Sequence, residues 1–188
     1  MNAEKHDRIA RRTEKQLKEA LLKLLNSKNI SQISVRELAD EADITRATFY
    51  KHYRDAFDML TKLQDEILNK ILDLINQTTG NNPYDFFLKL YKYLANEVIH
   101  PEILFINTDE GSAFKKIGKI IIDNYMLLWS AKPQNTEQIN YEYYRTYTVY
   151  GCISVIESWI KRGMIESPEY MSELSVSLMP YGRIISKK

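Results

Sequence analysis

No glycine precedes Gly80 and no proline precedes Pro83. These two residues punctuate regular structure more strongly than any others. The first 79 residues can therefore run as helices, stopped only by polar caps. Beyond them Pro83, Pro101, Pro133 and Pro168 arrive at spacings that suit helix boundaries. Strand-like alternation is weak throughout and helical spacing is strong. The expectation is an all-α chain of about nine helices, without internal repeats or low-complexity segments.

Composition narrows the function classes. A chain of 188 residues makes one long domain or two short ones. The 26 Lys+Arg against 25 Asp+Glu exclude a generally basic, histone-like binder and an acidic disordered tail. Hydrophobic residues at 44% suffice for a packed core. The longest apolar run is the five residues from Tyr125 to Trp129, where a bilayer span needs about 20, so no membrane crossing is expected. The stretch from Met1 to Asp7 is polar and charged, unlike a signal peptide. With Cys152 as the single cysteine, no disulfide forms within the chain. A reduced, cytosolic protein is expected.

Periodicity places the elements. A first helix from about Asp7 to Asn26 gathers Ile9, Leu17, Ala20, Leu21, Leu24 and Leu25 on one face. Ser34 and Glu37 form an S-x-x-E capping box for a short helix to Glu41. A third helix fits Thr45 to His52, with Thr45 as its N-cap. Asp55 caps a long fourth helix burying Phe57, Leu60, Leu63, Ile67, Ile71, Leu74 and Ile75, which ends near Thr78-Thr79-Gly80. Asn82-Pro83 opens another helix, Pro101 a short piece, and Asn107 to Gly111 a polar loop. Phe114, Ile117, Ile121, Tyr125, Leu128 and Trp129 form the next helical stripe. A long helix should run from Thr136 to about Gly163. Ser167-Pro168-Glu169 starts the last one, which reaches about Met179.

The specific signal lies in residues 33–53. Read physically, it is helix, tight turn, helix. Leu38, Ala39, Ala42, Ile44 and Phe49 form a small core between the two helices, with alanines where they cross closely. Thr45, Arg46, Thr48, Tyr50, Lys51 and His52 are left on the outer surface. Hydroxyls and helix N-termini hold phosphates, and Arg reaches guanine edges.

These residues, with the Ser34-Val35-Arg36-Glu37-Leu38-Ala39 and Thr48-Phe49-Tyr50-Lys51-His52-Tyr53 runs, resemble the DNA-binding domain of the TetR family of bacterial transcriptional regulators. The likeness spans about residues 8–68. It implies a three-helix DNA-binding domain at 1–54. It also implies a C-terminal ligand-sensing and dimerisation domain at 55–188, joined by the long helix 55–78. By resemblance Tyr50 contacts the DNA backbone, Arg46 and Thr48 face bases, and His52 sits near phosphate. Lys51 is placed to contact DNA, and Thr45 and Arg36 complete the candidate set. The implied partner is a palindromic double-stranded DNA operator in the bacterial cytoplasm, with no cofactor and no metal.

Three positions depart from the family pattern. Asp43 stands where the family usually has Gly in the turn, and Asp tolerates left-handed backbone better than most residues. Ala47 stands where Gly is frequent in the reading helix. Ala56 replaces a frequent Lys near phosphate, a contact that Arg54 could take over. The N-terminal arm fits the same reading: residues 1–28 hold eight basic residues and four acidic ones, a local excess suited to DNA, although a solvated helix face with paired charges would look the same.

The second half is less specific. From Tyr141 to Trp159 the chain is apolar on more than one side, so two of its sides should be buried. One is expected to meet a second copy, giving a homodimer through residues 136–161 and 167–179, as the resemblance also implies. Gly151 would allow close approach there. Tyr91, Tyr125, Trp129, Tyr144 and Tyr147 either line an effector cavity or are ordinary core. His6, His52 and His100 are too scattered for a metal cluster, Cys152 reads as a small buried residue, and Gly118-Lys119 lacks the rest of a phosphate loop. No catalytic motif is present, so an enzyme is not expected. The resemblance implies a regulator, most often a repressor, controlled by a small molecule. The second half is also similar to the short C-terminal domain of low-GC Gram-positive members, including dihydroxyacetone kinase operon regulators. That likeness keeps open an activator controlled through a protein partner.

Overall fold

Eight α-helices carry most of the described chain, as the spacing of its breakers requires. The computed structural model describes residues 2–78, 82–98, 100–108, 111–123 and 138–179. It divides into two compact units, Met1–Leu63 and Gln64–Lys188, whose boundary falls inside one helix.

In the first unit, α1 (Asn2–Leu25) begins earlier than its expected start at Asp7, because nothing in the preceding residues breaks it. Its buried face holds Leu17, Ala20, Leu21 and Leu22. A single 3-10 turn, Ile30–Gln32, leads to α2 (Val35–Glu41). The expected capping box is formed: Ser34 Oγ accepts from Glu37 N at 3.2 Å, and Glu37 Oε2 accepts from Ser34 N at 3.0 Å. Next comes α3 (Arg46–Phe49), a single turn. The expectation of a helix to His52 is corrected here. Lys51 N bonds to Thr48 O at 3.2 Å and His52 N to Phe49 O at 2.9 Å, so the chain tightens to i→i−3 bonding after Phe49. The long α4 (Ala56–Gln77) starts at the expected cap, where Asp55 Oδ1 accepts from Asp58 N at 2.8 Å. In this unit Leu38, Ala39, Ala42, Phe49, Met59 and Leu60 are fully or almost fully buried. Phe57, expected in the core, is half-buried, and Met59 takes its place.

In the second unit, α5 (Pro83–Asn96) is capped by Asn82, with proline at its first turn as expected. A 3-10 helix covers Pro101–Phe105. The expected polar loop contains a two-residue antiparallel bridge, Asn107 opposite Ser112 and Thr108 opposite Gly111. The remaining helices are α6 (Ala113–Asp123), α7 (Gln138–Lys161) and α8 (Pro168–Leu178). The parts of the expected stripe at Tyr125, Leu128 and Trp129 lie outside the described residues. The most extensive packing is α5 on α8, with α6 on α7. Gly118 is a packing glycine: a Cβ there would stand 3.0 Å from Tyr150 Cε1 and 3.1 Å from Ile153 Cδ1. Gln64 is buried on α4 and donates from Nε2 to Ile103 O at 2.7 Å and Ile106 O at 2.9 Å, satisfying one carbonyl of the 3-10 helix and that of its C-cap. At the end of α7, Gly163 (φ 82°) and Met164 (φ 55°) turn left-handed, and Met164 N returns to Trp159 O at 2.9 Å.

Candidate nucleic-acid interface

The turn between α2 and α3 depends on one residue. Asp43 has φ 53°, the left-handed conformation a glycine would supply. It brings Ile44 N to Ala39 O at 3.0 Å and lets α3 cross over α2. The crossing is filled by Leu38, Ala39, Ala42 and Phe49, all buried, with Ile44 half-buried. Tyr53 packs beside Phe49, ring centroids 5.9 Å apart.

With its inner face filled, α3 presents the rest outward. Thr45 Oγ1 accepts from Thr48 N at 3.1 Å and lies 2.9 Å from Thr48 Oγ1. Thr45 therefore caps the turn that carries Arg46. Arg46, Ala47 and Lys51 are exposed, Thr48 is half-buried, and Tyr50 is 60% exposed with its edge against Phe49. Arg36 is exposed on α2, 3.6 Å from Asp40.

His52 differs from expectation. Its side chain is only 16% exposed, and Nδ1 lies 3.5 Å from Glu14 Oε1 on α1. After the tightened turn that follows Phe49 it is part-buried against α1, whereas the expectation places it on the outer surface.

Several acids of this unit are paired with cations. Glu37 is bonded by Lys28 and Glu41 by Lys23. Lys28, then the Ser34 backbone and hydroxyl, lower the Glu37 carboxyl to about 2. Asp58 accepts from Arg54 N at 3.0 Å, Arg54 Nε at 3.1 Å and Arg54 Nη2 at 2.9 Å. Lys62 Nζ lies 3.1 Å from the same carboxylate. Burial alone would raise the Asp58 carboxyl, but these donors outweigh it and hold it below the ordinary aspartate value. Ala56 is buried and offers DNA nothing, whereas the Arg54 guanidinium beside it is exposed.

The comparisons fit this geometry. Residues 17–59 match the family described as "Bacterial regulatory proteins, tetR family", and residues 81–181 match "Transcriptional regulator C-terminal region", a C-terminal region of the same family. The chain belongs to the TetR family of transcriptional regulators. Regulators of this family bind DNA and dimerise. The uncharacterized HTH-type transcriptional regulator YxbF of Bacillus subtilis (strain 168) is 25% identical over 173 residues, covering 85% of this chain and 43% of YxbF. The chain thus spans less than half of that relative. Among solved structures, the dihydroxyacetone kinase operon activator DhaS is 22% identical, with 89% of this chain and 93% of that one covered at a TM-score of 0.59. The fatty acid degradation regulator FadR from Bacillus halodurans is 13% identical, with 91% and 96% covered at a TM-score of 0.64. Both share the fold.

In the second unit of this TetR-family chain the three described aromatic candidates, Tyr91, Tyr144 and Tyr147, do not converge. Tyr91 is fully buried on α5, its hydroxyl 2.8 Å from Ser175 Oγ and its ring edge-on to Trp159 at 4.9 Å. It is core, and burial raises its phenol to about 12. Tyr144 is half-buried, and Tyr147, one turn further along α7, is 72% exposed. Tyr125 and Trp129 lie outside the described residues. A half-enclosed groove of about 410 Å³ runs between α7 and α8, lined by Tyr147, Tyr150, Gly151, Cys152, Ser175 and Leu178 among others. Nothing stands within 4 Å of a Cβ built on Gly151. Among the described residues no helix is long and apolar enough to cross a membrane, and no cluster of His, Cys, Asp and Glu could hold a metal.

Proposed function

We propose that this regulator reads a palindromic double-stranded operator with α3, as a homodimer in the bacterial cytoplasm. The observation that supports this most is the outer face of α3: a capped single turn, backed by Phe49, that leaves Arg46, Tyr50 and Lys51 free to meet a groove. Arg46 and Thr48 read base edges, while Tyr50, Lys51, Thr45 and Arg36 meet the backbone. Arg54 supplies the phosphate contact that Ala56 cannot.

Residues 1–54 form the reading domain and 55–188 the sensing and dimerisation domain. The dimer forms through residues 136–161 and 167–179. The exposed face of α7 (Tyr143, Tyr147, Tyr150, Gly151) and the groove beside α8 receive the second copy. Regulation is repression, relieved by a small molecule that binds the C-terminal domain and favours one spacing of the two reading helices. In a second reading, a protein partner replaces the small molecule and the regulator activates.

The test is selection of bound duplexes from a random pool with the full chain. A two-fold symmetric sequence is expected, with half-sites one or more helical turns of about 34–36 Å apart. A pool that leaves the selection unenriched contradicts the proposal.

A further inference from the structure

We infer that Asp58 is a positioning residue for DNA reading, holding Arg54 and Lys62 so that the segment leaving α3 is fixed from behind. The inference rests on the proposal that α3 reads DNA. One turn of helix is too short to hold its own shape. Its leading end is secured by the Thr45 cap and its middle by Phe49. Its trailing end, Tyr50 to Arg54, keeps i→i−4 bonds at Tyr50 N and Tyr53 N but only the tighter i→i−3 bonds at Lys51 N and His52 N between them, and Arg54 N turns away from the helix to a side chain.

Asp58 supplies what is missing there. Its side chain is 9% exposed, and its two oxygens take three donors from Arg54 and one from Lys62. Lys62 Nζ, steered by that carboxylate, donates to His52 O at 3.0 Å and lies 5.1 Å from the centre of the Tyr53 ring. The carbonyl it grips belongs to the residue after Lys51. Arg54, gripped at its backbone N, its Nε and its Nη2, is 86% exposed, so its position is set while its outer edge stays open. A single carboxylate therefore fixes the backbone on both sides of Tyr53. Its negative charge also offsets two cations that would otherwise attract DNA of any sequence.

Removing the charge should have opposite effects on the two kinds of binding. The experiment compares wild type and Asp58→Asn as full chains. Each is titrated with the duplex selected by wild type and with a random-sequence duplex of equal length, at fixed salt. The expected result is about tenfold weaker operator binding with random-duplex binding equal or tighter, so that the ratio of the two falls by about tenfold or more. Asp58→Glu should restore part of the ratio. A merely structural role would lower both affinities together and leave the ratio unchanged, which overturns the inference. If Asp58→Asn fails to fold, Lys62→Met removes the grip on His52 O and leaves Asp58 paired with Arg54. A ratio reduced about threefold supports the inference, and a ratio held within twofold overturns it. Wild type without any sequence preference would sink the DNA reading itself. A wild-type preference that survives in the variants sinks only the role of Asp58.

Discussion

In residues 1–63, each stop and turn belongs to a residue whose action is local. Ser34 and Thr45 cap helices through atoms three residues away, and Asp43 turns the chain by its own φ. In residues 64–188 the decisive contacts are distant in sequence: Gln64 reaches Ile103, and Tyr91 reaches Ser175 across 84 residues. Among the described residues of the first unit, Tyr50 is the one large hydrophobic side chain left exposed. The second leaves Tyr143, Tyr147 and Leu178 exposed. On the proposed function, the contrast is between a reading head that is complete before it meets DNA and a dimerising unit that its second copy completes.

If the units are separable, damage to one should spare the other. The largest effect is expected for Phe49→Ala, which empties the crossing of α2 and α3. It should destabilise residues 1–63 by about 3–5 kcal/mol and abolish operator binding, while sedimentation still shows a dimer. Loss of the dimer as well would erase the distinction between the units.

A second variant probes the unfinished face. Tyr147→Asp places a charge on a side chain that is exposed in one chain but buried in the proposed dimer. Each chain should keep its helix content while the dimer weakens by about tenfold or more, since an unpaired buried charge is costly. An unchanged sedimentation profile would move the interface elsewhere.

The smallest effect is in the cap of α2. Lys28 and then Ser34 depress the Glu37 carboxyl from its ordinary 4.5 to about 2. A depressed carboxyl adds stability that is complete above about pH 4.5 and lost as pH falls through 2. Carboxyl-carbon NMR should find a Glu37 midpoint near 2. A midpoint near 4.5 would mean that the cap and its Lys28 pair do not persist in solution.

The legible parts of the fold were those written in local chemistry. The S-x-x-E box, the Thr45 cap, the Asp55 cap, the Asn82-Pro83 start and the Ser167-Pro168 start all stand where the sequence places them. The end of α3 was not legible, because Tyr50 to His52 carry no breaker and the tightening appears only in their hydrogen bonds. His52 was read as outward because its partner, Glu14, lies on another helix. The Asp58 network did leave a signal, since Arg54, Asp58 and Lys62 follow one another at i, i+4. Such pairs usually decorate a solvated face, and only burial of the carboxylate marks this one as different. Tyrosines serve core, cavity and interface equally well, so Tyr91 and Tyr147 could be sorted only by their surroundings.

The central claim is that α3 reads bases, and Arg46 is the residue that tests it most directly. The measurement is the affinity of wild type and Arg46→Ala for the selected operator and for versions of it changed one base pair at a time. A loss of about 1–3 kcal/mol on the operator is expected, with preference relaxed at one position in each half-site and retained at the others. If Arg46→Ala binds every version as wild type does, α3 is not the element that reads the sequence.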